Sequence, residues 1–264
     1  MRMLLLMVML WGCAGAATGA SVFIEDLTWT EVRQAQQAGR RTIIVPVGGT
    51  EQNGPHMALG KHNARVRVLA GRIAAELGDA LVAPVLAYVP EGRIDPPSGH
   101  MRFAGTISVP DDAFQSVLAG AARSFKRGGF SEVVLIGDSG NYQGQLKDVA
   151  ARLNREWAGS GVRAHHIAAY YGAVQGGYAQ ALRAKGLTAA QIGTHAGTAD
   201  TALLLALEPS LVRADRLKVE PGPEPVSGVA GDPRPATAAL GQLGVDLIVR
   251  DSVAAIRAAT QPGR

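Results

Sequence analysis

Residues 42–63 read TIIVPVGGTEQNGPHMALGKHN, and this stretch decides how the rest of the chain is interpreted. Its first six residues are apolar and rich in β-branched side chains, which is typical of a buried strand. The glycines and the proline that follow indicate a loop, and this loop carries Glu51, His56 and His62. In an open parallel α/β sheet, ligands bind at the carboxyl ends of the strands. The stretch therefore predicts a functional loop at a sheet edge, with a plain solvated loop as the alternative.

The composition is that of one globular domain. The chain has 264 residues, of which 47% are hydrophobic and 18% charged, which fits a folded core. Its net charge of +4 comes from basic residues scattered along the sequence, and aromatic residues make up 5%. Neither a nucleic-acid surface nor a base-stacking platform is predicted. With Cys13 as its one cysteine, the chain cannot form an internal disulfide or a thiolate metal cluster.

The first 20 residues have the pattern of an export signal. A positive start, Met1-Arg2-Met3, precedes an apolar stretch at residues 4–12 and then small residues. The apolar part is too short to span a bilayer. A second interpretation is a lipoprotein signal, because residues 10–13, LWGC, resemble a bacterial lipid-attachment box. Both predict a periplasmic or secreted protein, lipid-anchored through Cys13 in the second case; a wrongly assigned start codon is the alternative.

Helix and strand patterns alternate along residues 21–264, and no linker divides them. Apolar residues at helical spacing, with capping residues and terminal glycines, predict helices, and short apolar runs predict strands. The predicted helices span residues 27–39, 64–77, 111–126, 143–157, 173–185, 202–207 and 236–258, and the predicted strands span 42–47, 80–89, 132–137 and 162–169. This spacing predicts a single α/β domain, a three-layer sandwich with a mostly parallel sheet.

Three predicted strand-end loops hold polar residues: residues 51–62, Asp138 and residues 195–200. Each has a plain structural explanation, since Asp138 can cap a helix, His195 can pack within its loop, and Asp200 can favour a helix dipole. Together, however, they should meet at one edge of the sheet, where carboxylates and imidazoles suit Zn, Mn or Fe. The sequence contains no phosphate-binding loop, dinucleotide-binding glycine motif or complete nucleophile elbow.

Five segments, in order, resemble the creatininase (creatinine amidohydrolase) family. Residues 46–57 are similar to the start of its PVGSTEQHGPHLPLGTD signature, residues 98–108 to EHxxFPGTIS, and residues 137–141 to NGHGGN. Residues 195–201 resemble HAGExET, and residues 228–237 resemble GVxGDPxxAT. The resemblance implies a parallel-sheet α/β fold, often hexameric, with a divalent-metal site that hydrolyses C–N bonds of small cyclic or linear amides.

The chain departs from this family pattern at the metal-ligand positions. Glu51 keeps the first acidic ligand, but the next histidine is replaced by Asn53. The aspartate that usually bridges two metals is replaced by His62, and the histidine of NGHGGN is replaced by Asp138. Aspartate and histidine have therefore exchanged places, and the set of Glu, His and Asp survives.

We therefore predict a site for one divalent ion, Zn, Mn or Fe, per chain. Its predicted ligands are Glu51, His62, Asp138 and Asp200. Two carboxylates and an imidazole leave a position for a hydrolytic water. His195 matches a family histidine that moves a proton to the leaving nitrogen, a role that suits imidazole. The predicted substrate-binding residues are Asn53, His56, His100 and Asn141.

The predicted function is metal-dependent hydrolysis of an amide bond in a small molecule by a homo-oligomer, a hexamer by resemblance. No nucleic-acid partner and no membrane span are predicted. A second interpretation is a creatininase-like fold without catalysis, which binds a small molecule or serves as a structural subunit. A third uses Ser139, which follows a strand, as a nucleophile. Creatinine itself is not the expected substrate, because the site is rebuilt.

Overall fold

Four parallel strands form the central sheet. The computed structural model describes residues 21–217 and 222–260. The strands are β1 (Thr42–Val47), β2 (Ala80–Val82), β3 (Glu132–Gly137) and β4 (Arg163–His166). They lie in the order β2-β1-β3-β4, and every neighbouring pair is parallel. The predicted α/β fold with a mostly parallel sheet is confirmed.

Alternate side chains of the strands build two cores. On one face, Ile44 and Val134 pack with the helices that follow β1 and β4 and with the C-terminal helix. On the other face, Val45 and Leu135 pack with the helices that precede and follow β3. Both faces of a sheet with parallel crossovers are covered, so its strands are apolar throughout. This is the three-layer arrangement that the sequence predicts.

The predicted helices are present, but some of them begin several residues earlier than predicted. The helix predicted from residue 173 begins at residue 168, where a strand was expected, and the helix predicted from residue 202 begins at residue 198. The helices are α1 (Trp29–Gln37), α2 (Lys61–Leu77), α3 (Asp111–Arg127), α4 (Gln143–Glu156), α5 (Ala168–Ala173), α6 (Ala179–Ala184), α7 (Ala189–Ile192), α8 (Thr198–Leu207), α9 (Ala214–Leu217), α10 (Glu224–Ser227) and α11 (Ala238–Thr260). A π-helical turn, Val174–Tyr178, joins α5 to α6, and short 3-10 turns span Ile24–Asp26, Gly99–Arg102 and Pro209–Leu211. At α1 the predicted cap is present, because Thr28 and Glu31 form a capping box.

Two element boundaries differ from the prediction in ways that matter for the site. α2 begins at Lys61, three residues earlier than predicted, so residues 61–63 lie on its first turn and not in the loop. β2 ends at Val82, and only an isolated bridge between Val47 and Leu86 continues the pairing. The prolines of the following segment account for this early end, because proline cannot donate a ladder hydrogen bond.

The predicted export signal, including Cys13, lies outside the described residues. Among the helices in residues 21–217 and 222–260, none is long and apolar enough to cross a membrane.

Candidate active site

The polar residues of the three predicted loops meet in one place. Glu51 follows β1, Asp138 follows β3, and Asp200 lies in the first turn of α8. The loop that carries His195 was predicted to follow a strand, but it follows helix α7. Beside them is a cavity of about 150 Å³ whose lining is mostly polar; it includes Lys61, His100, Asp138, Asn141, His195 and Asp200. The cavity lies at the carboxyl edge of the parallel sheet, which is the usual ligand site in such folds.

Two asparagines hold the loop between β1 and α2. Asn63 accepts a hydrogen bond from the backbone N–H of Gly49 at 2.9 Å. Asn53 is fully buried and donates to the carbonyl oxygens of Glu51 and Ala58 at 2.9 and 3.0 Å. Asn53 therefore fixes the backbone that carries Glu51, and the structure places it outside the lining of the cavity.

His62 lies between the two carboxylates that the sequence groups with it. Its Nδ1 is 2.6 Å from Asp138 Oδ2, and its Nε2 is 2.8 Å from Glu51 Oε1. Carboxylate oxygens accept hydrogen bonds, so each ring nitrogen donates one. The structure therefore brings Glu51, His62 and Asp138 together, but His62 is hydrogen-bonded to both carboxylates.

Two buried cations of α2 complete this cluster. Arg65 donates through Nε and Nη2 to Asp138 Oδ2 at 2.9 and 2.7 Å, and through Nη1 to Asp200 Oδ1 at 2.7 Å. The ammonium group of Lys61 lies 3.2 Å from Asp200 Oδ2 and 3.5 Å from Glu51 Oε1. We call this group the cation-filled half of the site; it comprises Lys61, His62, Arg65, Asp138 and Asp200.

These cations keep the neighbouring carboxyl groups ionised. Burial alone raises the pKa of Asp138, but the charge of Arg65 and the hydrogen bond from His62 outweigh it, and the pKa is lowered. Burial likewise opposes ionisation of Asp200, and Lys61 and Arg65 bring its pKa well below the ordinary value. The cation-filled half is thus a set of compensated charges, the condition under which charged groups are tolerated inside a protein.

A second group, the histidine half, consists of Glu51, Gln52, His100 and His195. One potential ligand atom each from Glu51, His100 and His195 lies within 4.8 Å of the other two. Glu51 Oε2 is 3.3 Å from His100 Nε2, and Glu51 Oε1 is 3.7 Å from His195 Nδ1. The two imidazole rings pack with their centroids 4.4 Å apart.

Gln52 orients both histidines. The backbone oxygen of Gln52 lies 2.9 Å from His195 Nε2, so that nitrogen donates and Nδ1 keeps its lone pair. The Gln52 amide oxygen accepts from Gly54 N–H at 2.9 Å, which directs its nitrogen to His100 Nδ1 and to the carbonyl of Gly228, both at 3.0 Å. His100 Nδ1 therefore accepts, and its Nε2 faces Glu51.

The histidine half has the protonation states that a metal ligand needs. Burial is the main reason why the pKa of His195 is lowered to about 4 and that of His100 is lowered as well, so both rings are neutral at pH 7. The positive charges around Glu51 outweigh its burial and bring its pKa well below the ordinary value. Neutral imidazole and ionised carboxylate are the ligand forms of both groups.

The two halves differ in how they fit the expected divalent ion. In the histidine half, Glu51 Oε1 and His195 Nδ1 are acceptor atoms that face each other, an arrangement that favours a cation between them. His100 Nε2 lies beside this pair, 3.3 Å from Glu51 Oε2. This half fits the ion. In the cation-filled half, the oxygens of Asp138 and Asp200 already accept from Arg65, Lys61, His62, Tyr170 and the Ala196 amide. This half does not fit a metal ion as it stands.

The structure places the other predicted site residues in two groups. His100 and Asn141 line the cavity, and Asn141 donates to Glu91 Oε2 at 2.8 Å. His56 is buried and lies 3.0 Å from the Thr201 hydroxyl, outside the lining of the cavity. Ser139 also lines the cavity, and its hydroxyl accepts from the Asn141 backbone N–H at 3.3 Å.

Sequence reasoning missed four residues of the site: Lys61, Arg65, Gln52 and Glu91. A usable signal existed for Arg65, because it lies between apolar residues on the buried face of α2, one turn after Lys61. Glu91 follows the irregular segment after β2, and burial together with the charge of Glu51 raises its pKa to about 9. Its place beside Glu51 depends on a contact 40 residues away in sequence, which no local pattern indicates.

The site is a carboxylate–imidazole cluster at the strand ends of a parallel α/β fold, and comparisons with known proteins place it in a family. Residues 25–256 match the family model described as Creatininase: Creatinine amidohydrolase. The chain therefore belongs to the creatininase family, which confirms the resemblance noted in its sequence.

The relatives and solved structures agree with this assignment. "Creatinine amidohydrolase" of Pseudomonas putida is 28% identical over 257 residues, covering 90% of this chain and 96% of the relative. "Mycofactocin precursor peptide peptidase" of Mycobacterium tuberculosis (strain ATCC 25618 / H37Rv) is 29% identical over 237 residues, covering 80% and 83%. A structure titled "Creatininase Mn" superimposes with a TM-score of 0.77 at 27% sequence identity. A mutant creatininase of "Zn-Zn type" superimposes with a TM-score of 0.76 at 26% identity. Each match covers 92% of this chain and 100% of the solved one.

Proposed function

We propose that this protein hydrolyses a C–N bond in a small amide, with one divalent ion held by Glu51, His100 and His195. The observation that carries the proposal is the pair of facing acceptor atoms, Glu51 Oε1 and His195 Nδ1, 3.7 Å apart at the cavity. Solved creatininases are described by the manganese or zinc that they carry, which supports the same choice of metals here.

The residues of the histidine half have distinct roles in this proposal. A bound divalent ion would polarise a carbonyl and lower the pKa of a water. His195 lines the cavity and is neutral at pH 7. It would offer Nδ1 to the ion, because its Nε2 donates to the Gln52 backbone oxygen, and this coordination would take the place of the predicted proton-transfer role. Gln52 fixes the orientation of the His195 ring. Asn141, at the other side of the cavity, can hydrogen-bond the substrate.

The substrate is a small polar amide. The cavity of about 150 Å³ admits a compact molecule, and its polar lining favours one that can form several hydrogen bonds. The names of two relatives, an amidohydrolase and a peptidase, both denote cleavage of C–N bonds. A cyclic or linear amide is therefore the substrate class that we propose.

A second candidate function is binding without catalysis. It is favoured by the cation-filled half, in which Arg65 and Lys61 already satisfy the carboxylates that the sequence predicts as metal ligands. In that case the cavity would hold a small polar ligand, and residues of the histidine half would form hydrogen bonds to it.

A hydrolysis assay with matched histidine variants distinguishes the two candidates. The purified protein, dialysed with zinc or manganese, is incubated with cyclic amides, linear amides and short peptides, and released amine is quantified. We expect turnover that a chelator abolishes and added metal restores. His195→Asn should abolish the chelator-sensitive turnover and lower the amount of bound metal, because it removes a proposed ligand of the ion.

The control is His165→Asn. His165 pairs with Glu132 at the opposite end of β3, 2.6 Å away, so this variant should keep its activity. If the folded, metal-treated protein cleaves nothing in the panel but binds one of its members, the second candidate replaces the first.

We also propose that the protein is exported and forms a homo-oligomer. The support for both is in the sequence, because the pattern of residues 1–20 predicts export and the family resemblance implies an oligomer. Light scattering of the purified protein tests the oligomer, and a monomer at all concentrations would contradict it. Cell fractionation with a Cys13→Ala variant tests export and lipid anchoring.

A further inference from the structure

Two cations are buried on one face of α2, where a soluble protein rarely places them. The side chains of Lys61 and Arg65 are 1% and 2% exposed. They are one helical turn apart and point to the same side. Buried lysine and arginine are tolerated only when they are paired, and here their partners are Glu51, Asp138 and Asp200.

Every carboxylate oxygen of Asp138 and Asp200 already accepts a hydrogen bond. Asp138 Oδ2 accepts from His62 and twice from Arg65, and Asp138 Oδ1 accepts from the Tyr170 hydroxyl at 2.8 Å. Asp200 accepts from Arg65 through Oδ1, and from Lys61 and the Ala196 amide through Oδ2. A divalent ion at these oxygens would lie beside a buried cation of the same sign.

The charges in the cation-filled half balance without a metal. Its two carboxylates are Asp138 and Asp200, and the opposing cations are Lys61 and Arg65. A second ion beside Lys61 and Arg65 would add two positive charges to a compensated cluster, which Coulomb repulsion at low dielectric opposes. In a relative of "Zn-Zn type", the bound zinc ions contribute positive charge of the kind that side chains supply here.

We propose that Lys61 and Arg65 are built-in counter-cations that take the place of a second metal ion. The exchange of aspartate and histidine at positions 62 and 138 belongs to the same rearrangement, because it lets Asp138 pair with Arg65 and His62 join both acids. This chain binds at most one divalent ion, at the histidine half. The inference rests on the proposed function only for the location of that single ion.

Metal stoichiometry tests this inference without reference to catalysis. The full-length purified protein and a Lys61→Met variant are dialysed against excess zinc or manganese, and bound metal per chain is measured by plasma mass spectrometry. Methionine has a similar length and no charge, so it exposes Glu51 and Asp200 to an incoming ion. The expected result is one more ion per chain in the variant than in the parent protein, together with a metal-dependent rise in Tm.

Two control variants make the comparison specific. Lys61→Arg keeps the charge and should bind no additional ion. Arg123→Met removes an exposed cation that pairs with Glu156 and should likewise bind no additional ion. A gain in either control would show that the extra ion does not come from the vacated cation position, and the inference would be rejected.

The outcomes separate this inference from the proposed function. No ion in the parent protein and one in Lys61→Met supports the inference and removes the proposed single-ion site. One ion in both proteins, or none in both, overturns the inference. Two ions in the parent protein also overturn it. If Lys61→Met is unfolded, refolding by added metal supports the inference, and failure of metal to restore the fold contradicts it.

Discussion

The two halves of the site lie side by side at one edge of the sheet but use their polar groups differently. In the cation-filled half, Asp138 and Asp200 accept hydrogen bonds from buried side-chain cations, and His62 is enclosed between two acids. In the histidine half, His195 Nδ1 and Glu51 Oε1 face each other 3.7 Å apart. The first half stabilises the fold, whereas the second offers acceptor atoms to a ligand.

This difference shows that the types of residue in a cluster do not define its chemistry. Glutamate, histidine and aspartate are metal ligands in many proteins, yet here they also form a salt-bridge network. What distinguishes the two uses is the presence of a second cation within reach of the carboxylates. Lys61 and Arg65 make that difference.

The largest expected effect is from Arg65→Leu. Without the guanidinium, the buried Asp138 loses its main counter-charge, and Asp200 loses one of its two. Breaking one side of a buried ion pair costs about 3–5 kcal/mol, so the free energy of unfolding should fall by that amount in urea titrations at pH 7. In Arg123→Leu the same change removes an exposed pair with Glu156, and the loss should be much smaller. Equal losses in the two variants would show that the buried network does not depend on Arg65.

As the pH falls, the stability contributed by buried histidines should be lost before that contributed by the buried carboxylates. Burial lowers the pKa of His56 to about 4 from an ordinary 6.5, so the folded state disfavours its proton. Its contribution to stability is therefore present above pH 6.5 and is lost as the pH falls from 6.5 to 4. Asp138 and Asp200, whose pKa values are lowered, contribute above their ordinary pKa and lose that contribution only at lower pH. The free energy of unfolding should therefore fall in two phases as the pH is lowered.

The variant His56→Gln tests the upper phase. Glutamine can still hydrogen-bond Thr201 but does not titrate, so the stability of the variant should fall less between pH 6.5 and 4 than that of the parent protein. At about 1.4 kcal/mol per pKa unit, the two losses in unfolding free energy should differ by ~3 kcal/mol at pH 4. Urea titrations at several pH values measure it, and the phase below pH 4 should be unchanged. A parallel loss in both proteins across the whole range would show that His56 is not the titrating group.

A smaller effect is expected from Gly228→Ala, which acts on the histidine half. Gly228 has a φ of +70°, and a Cβ there would lie 2.0 Å from Gln52 Oε1, the group whose amide orients His100. We expect a loss of about 1–2 kcal/mol from the left-handed backbone, and more from the displaced glutamine. Gly78→Ala has a similar φ of +83° but open space around the Cβ, so it measures the backbone strain alone. Activity should fall in Gly228→Ala and not in Gly78→Ala.

Much of the fold could be predicted from the sequence, because its signals are local. The apolar runs at residues 42–47 and 132–137 define β1 and β3 to the residue, and the Thr28–Glu31 pair marks the start of α1. The start of α2 was predicted too late, since Gly60 gives no side-chain cap. The end of β2 was also predicted too late, since strand length depends on a neighbour to pair with and not on apolar content alone.

The sequence by itself determined the layered α/β fold, the family resemblance and the edge of the sheet where Glu51, Asp138, His195 and Asp200 collect. Only the tertiary structure decided which of these groups pair with Arg65 and which, like Glu51 and His195, face each other beside the cavity. The physical reason is that strand and helix patterns arise from neighbours along the chain. The charge state and accessibility of a buried carboxylate, by contrast, depend on cations brought within about 3 Å by folding, and residue spacing carries no record of that distance.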